Sequence, residues 1–127
     1  MTLLTIALIA HDARKDTLIA WAERHRTVLS SHRIVATGTT GRRLKNAVPE
    51  LEVECLLSGP QGGDLQIGAR VAEGRVDAIV FLTDPLWAQP HEPDVRALMR
   101  AAVVHDVPLA LNLRTAEILV AGWERLV

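Results

Sequence analysis

Apolar residues fall into five short β-capable runs, separated by stretches in which they recur at helical spacing, and this alternation sets the expected architecture. Residues 3–10 form the first run, apolar throughout except for Thr5, as a strand buried on both faces requires. Over residues 13–30 Leu18, Trp21, Ala22, His25 and Leu29 share a helical stripe with charges between them, and Asp12 stands where a cap would. Residues 32–36 read as a second strand. Thr37-Gly38-Thr39-Thr40-Gly41 is then a polar turn into a short basic helix with Arg42, Arg43 and Lys45, stopped by Pro49. A third strand spans 51–57, alternating at first, and a helix follows over 63–73 with Gly74 closing it. Residues 76–82 are a fourth strand, apolar but for Asp77. Residues 83–93, with three prolines and Trp87, read as a loop. From Asp94 a helix carries Val95, Leu98, Met99, Ala102 and Val103; a fifth strand spans 107–111 and a last helix 115–126.

Strands alternating with helices imply an α/β fold, a three-layer α/β/α sandwich on a five-stranded parallel sheet. Composition adjusts this little. The chain of 127 residues is 49% hydrophobic and 23% charged, which fits one globular domain over 1–127. A net charge of -1 argues against a general nucleic-acid binder. No apolar run is long enough to span a membrane, and the apolar N-terminus lacks the basic flank of a signal peptide, so a cytoplasmic protein is expected. Cys55, the only cysteine, falls on the apolar side of its strand and reads as a buried, inert thiol.

The polar residues with chemical capacity collect at the strand exits, His11-Asp12, Thr37-Gly38-Thr39-Thr40, Ser58-Gly59-Pro60, Asp84-Pro85 and Asn112, all at one rim of a parallel sheet. Thr37 to Thr40 offer hydroxyls and amides at a helix start, which suits a phosphate dianion as well as an ordinary cap. Ser58 and Gly59 repeat that chemistry. Lys15, one helical turn past His11, is either a cation for the rim or simply solvated. Ser58-Gly59-Pro60-Gln61-Gly62-Gly63-Asp64 lets backbone approach a ligand closely and then presents a carboxylate. Asp64 is thus a candidate general base, or just the acidic start of a helix. His91, between Pro90 and Pro93 and near Asp94, is a candidate proton shuttle. A metal site of His11, Asp12, His91 and Asp94 is the rival reading; His25, His32 and His105 read as structural or exposed. Neither a Walker loop nor a dinucleotide fingerprint is present.

Four motifs in order, His11-Asp12 with Lys15, Thr37-Gly38-Thr39-Thr40-Gly41, Ser58 to Asp64, and Pro90-His91-Glu92-Pro93-Asp94, resemble those of the methylglyoxal synthases over roughly residues 6–112. The resemblance implies a flavodoxin/Rossmann-type architecture. It also implies a carbon–oxygen lyase that turns dihydroxyacetone phosphate into methylglyoxal and phosphate, a glycolytic bypass, without cofactor or metal. Asp64 would take the C3 proton, and His91 would polarise and shuttle protons, with Asp94 and Asp12 in the network. Lys15, Thr37, Gly38, Thr39, Thr40, Ser58 and Gly59 would hold phosphate, and His11 would contact substrate. A cytoplasmic homohexamer, allosterically inhibited by phosphate in some members, is the implied assembly, with no nucleic acid or membrane partner; Trp87 and Ile67 are its exposed apolar candidates. Two departures stand out. The chain stops at Val127, so the tail arginine of longer members has no secure counterpart in Arg125, and Leu111 stands where threonine is common. The alternative is a non-catalytic effector-binding domain of the same fold, as in carbamoyl-phosphate synthetase.

Overall fold

In a computed structural model, residues 3–86 and 95–126 are described. Among them five strands form one parallel sheet: β1 (Thr5–Ala10), β2 (Arg33–Ala36), β3 (Glu52–Cys55), β4 (Ala78–Leu82) and β5 (Leu109–Ala110), in the order β3-β2-β1-β4-β5. The helices are α1 (Lys15–Arg24), α2 (Arg26–Leu29), α3 (Gly38–Ala47), α4 (Gly63–Ala72), α5 (Val95–Val104) and α6 (Leu113–Gly122). Because successive side chains on a strand point to opposite faces, β1 feeds two cores. Ile6 and Leu8 join Leu18, Trp21, Leu44 and Val120 of α1, α3 and α6. Ala7 and Ile9 join Ile67, Val71, Leu98 and Ala102 of α4 and α5. These are the three expected layers.

The chain winds outward from β1 through β2 to β3, then crosses back to β4 on the other side of β1. The reversal leaves a crevice at the carboxyl ends of β1 and β4, the place where open α/β sheets bind ligands. Pairing of Leu8 with Ala36 and of Ala10 with Leu82 sets the exits of β1, β2 and β4 side by side.

Several local expectations need correction. The helix expected over 13–30 is divided: Asp12–Arg14 is a 3-10 turn, and the chain breaks at His25 (φ −109°, ψ 23°) between α1 and α2. The Arg26 side chain takes the Glu23 carbonyl at that break (3.1 Å). Asp12 does not cap the helix; His11 holds the N-terminal position of the turn, and Asp12 pairs with Lys15 instead. The polar turn at 37–41 is already helical from Gly38. Ile67, expected to be exposed, is 0% exposed because α4 turns Ile67 and Val71 onto the sheet. On α5 the reverse holds: Leu98 and Ala102 are buried, while Met99 and Val103 are 41% and 82% exposed. Cys55 is half-buried, packed against the core rather than sealed in it. Trp87 lies outside the described residues.

Candidate active site

The N-terminus of α3 and the loop after β3 are built into each other. Thr37 precedes the helix in extended conformation, and the Gly38 amide donates to the Leu57 carbonyl at 3.1 Å. A Cβ on Gly38 would stand 3.1 Å from the Ser58 nitrogen, a contact tight enough that the Ser58 backbone would have to give by a few tenths of an ångström. Ser58 opens a 3-10 turn, Gly59–Gln61, and its carbonyl accepts from the amides of Gln61 and Gly63, both at 3.0 Å. Gly62 ends the turn at φ 101°, a left-handed conformation that glycine reaches without strain. Gly63 then starts α4 in such close contact that a Cβ would fall 1.9 Å from the Leu57 carbonyl oxygen and 3.1 Å from Thr37 Cγ2. Gln66 braces the loop by accepting the Leu57 amide at 2.8 Å.

Thr37, Gly38, Ser58, Gly59 and the base of Asp64 therefore form one contact group. Asp64, half-buried, is the second residue of α4, where the helix dipole favours a carboxylate. Thr37 and Thr40 are buried, Thr39 exposed. The Thr37 side chain makes no capping bond to α3, and the Thr40 hydroxyl, 1% exposed as a residue, has no hydrogen-bond partner among the described residues. A buried unpaired hydroxyl is costly unless it serves a ligand. Arg42 also reaches this end of α3, its Nη2 3.4 Å from Thr39 Oγ1. Sequence reasoning placed Arg42 only in a basic helix. Its i,i+3 relation to Thr39 was the available signal.

The second group lies across β1. His11 is 7% exposed; its amide donates to the Leu82 carbonyl (3.1 Å) and its Nδ1 accepts from the Asp84 amide (2.9 Å). Lys15 is not simply solvated, since its side chain is only 14% exposed and pairs with Asp12. Arg14 Nε donates to the Thr83 carbonyl (3.2 Å), tying the start of α1 to the exit of β4. A cavity of about 340 Å³ opens beside this junction, lined by Arg14, Thr17, Thr83, Pro85 and Asn112 among others. His91 and Asp94 lie outside the described residues, and with them half of the rival metal site. The remaining histidines fit their structural reading. His32 Nδ1 accepts from the Leu4 amide (3.0 Å), His25 pairs with Glu117 (2.9 Å), and His105 is exposed.

A rim with an uncapped, hydroxyl-rich helix start beside a carboxylate, and a cation paired one strand over, is equipped to hold an anion and move a proton near it. The family model described as MGS-like domain matches residues 17–111. A methylglyoxal synthase of Thermus thermophilus is 62% identical over 120 residues, 94% of each chain. One of Cupriavidus pinatubonensis is 58% identical over 125 residues, 98% of this chain and 95% of its own. The crystal structure of methylglyoxal synthase from Elizabethkingia anophelis superposes with a TM-score of 0.90 at 41% identity, covering 94% of this chain and 78% of that one. The chain belongs to the methylglyoxal synthase family.

Proposed function

We infer that this protein is a methylglyoxal synthase, a carbon–oxygen lyase acting on dihydroxyacetone phosphate. The observation that carries the reading is identity near 60% to synthases along almost the whole of both chains, and no feature favours the effector-binding alternative.

In the proposed mechanism Lys15, Thr37, Gly38, Thr39, Thr40, Ser58 and Gly59 hold the phosphate, and Asp64 takes a proton from C3. The electron pair left on C3 forms the C2–C3 double bond of an enediolate. Those electrons then expel phosphate from C1, breaking the C1–O bond and leaving the enol of methylglyoxal, which gains a proton at C1 to become the methyl group. His91 moves protons between the enediolate oxygens, with Asp94 and Asp12 in the network. Elimination rather than isomerisation requires the C1–O bond to stand out of the enediolate plane, so the cradle's placement is part of the chemistry. The buried unpaired Thr40 hydroxyl and the shared loop from Ser58 to Asp64 support this division of roles.

The protein works as one domain in the cytoplasm, as a homohexamer with phosphate as product and inhibitor, and with neither nucleic acid nor membrane as partner. No helix among the described residues is long and apolar enough to cross a membrane. Incubation of the purified protein with dihydroxyacetone phosphate should release methylglyoxal and phosphate in equal amounts. No product above background, or glyceraldehyde 3-phosphate instead, would overturn the assignment.

A further inference from the structure

The start of α3 gathers donors and positive charge without a carboxylate of its own. Gly38–Ala47 contains no acidic residue, and its second turn carries Arg42 and Arg43 side by side. The two arginines keep different company. Arg43 pairs with Asp16, whereas among the described residues no carboxylate pairs with Arg42. Side chains on a helix lean back toward its N-terminus, and Arg42 follows that direction. Its Nη2 donates to Thr39 Oγ1 (3.4 Å), and its Nη1 lies 3.4 Å from the point where a Cβ on Gly38 would stand. That same point is 3.1 Å from the Ser58 nitrogen. Arg42 Nη1 and the Ser58 amide are therefore close enough for one phosphate to accept from both, since each phosphate oxygen takes a donor at about 2.9 Å. The Ser58 amide donates to no acceptor among the described residues. A guanidinium at the positive pole of a helix, beside other donors, is repelled by its surroundings, and an anion bound between them turns that repulsion into attraction.

We propose that Arg42 is a further phosphate-binding residue of this site. Its Nη1 donates to a phosphate oxygen beside the Ser58 amide, while its Nη2 occupies a lone pair on Thr39 Oγ1 and leaves that hydroxyl's proton for the anion. The role in turnover deepens the lyase reading and rests on it. Among the residues assigned to the cradle only Lys15 is a cation, and it stands on α1, paired with Asp12. Arg42 supplies the positive charge on the α3 side. When the C1–O bond breaks, its electron pair stays on the oxygen bound to phosphorus, so negative charge on the phosphate grows and a guanidinium beside it favours departure.

The test is titration calorimetry with inorganic phosphate at fixed ionic strength, on the wild type, Arg42→Gln, Arg42→Lys and Arg43→Gln. Arg42→Gln should weaken phosphate binding about tenfold, the scale of one charge-assisted hydrogen bond, and Arg42→Lys should recover part of the loss. Arg43→Gln removes the same charge one residue away and should stay within about twofold, because a charge that makes no contact with the anion is screened. In steady-state kinetics Arg42→Gln should raise KM by a factor similar to the loss in phosphate affinity and lower kcat as well. Unchanged phosphate affinity in Arg42→Gln overturns the proposal. So does an equal loss in Arg43→Gln, which would reduce Arg42 to a share of the general field, and so does a wild type that binds no phosphate. If phosphate binds as expected and dihydroxyacetone phosphate yields no methylglyoxal, the lyase reading falls while the assignment of Arg42 to the anion site stands.

Discussion

At the residue scale, two side chains make opposite demands on the fold. Thr40 brings an unpaired hydroxyl into a buried position, so Thr40→Val, which keeps the shape, should raise the stability of the unliganded protein by about 1 kcal/mol while raising KM roughly tenfold. Chemical unfolding and steady-state kinetics on the same preparation check both halves. Asp64→Asn should lower kcat by roughly a thousandfold with a small change in KM, the scale of a lost general base; a near wild-type rate would remove Asp64 from that role. His32 reports on pH instead. Burial holds its imidazole below the ordinary range, with the Asp77 carboxylate partly opposing, and its Nδ1 must stay unprotonated to accept the Leu4 amide. The unfolded chain therefore binds a proton more readily than the folded one. Stability from this group is full above 6.5, the ordinary imidazole value, and is lost as pH falls below it toward the folded value. Denaturant midpoints measured from pH 8 to pH 5 should fall, and His32→Gln should flatten that decline.

At the element scale the decisive contacts are between backbones. Gly63→Ala would drive a methyl group into the Leu57 carbonyl, so it should destabilise by at least about 2 kcal/mol and disable the cradle as well, read by thermal unfolding and by KM. Periodicity made the strands and helices legible, because burial on two faces leaves apolar runs and burial on one leaves a stripe. It also exposed the rim, since polar residues broke those runs at every strand exit. Other features were not legible. The break at His25, where the Arg26 side chain donates to the Glu23 carbonyl, has no signal in the spacing of Leu18, Trp21 and Leu29. Ile67 was expected at the surface and Met99 on the apolar stripe of its helix, and the structure reverses both. Which of them is covered depends on how α4 and α5 lie on the sheet, a tertiary property. The grip of Asp84 on His11 joins residues 73 apart, beyond any local pattern.

At the scale of the whole molecule, the winding order sets the exits of β2 and β3, which lead into Thr37–Thr40 and Ser58–Asp64, beside those of β1 and β4, which lead into His11, Lys15 and Asp84, so the residues proposed to hold phosphate come from both sides of the reversal. Inorganic phosphate should therefore stabilise the protein by mass action, by about 2.7 kcal/mol at one hundred times its dissociation constant. A thermal shift that is present in the wild type and reduced in Thr40→Val would locate the effect in the cradle. Val103 and Ile118, 82% and 75% exposed, and Leu65 at 68% leave apolar surface that suits association, and sedimentation of a monomer at working concentration would contradict the proposed assembly. The loop from Ser58 to Gly63 has the widest consequence. Its two ends are bonded to each other and pressed against Thr37, so the gap between anion holder and carboxylate cannot stretch. Such a loop works as a ruler. If Ser58 and Asp64 take the two ends of the substrate as proposed, a ketose phosphate longer by one carbon between phosphate and acidic C–H should satisfy one end only and turn over far more slowly, which kinetics on the longer homologue would check.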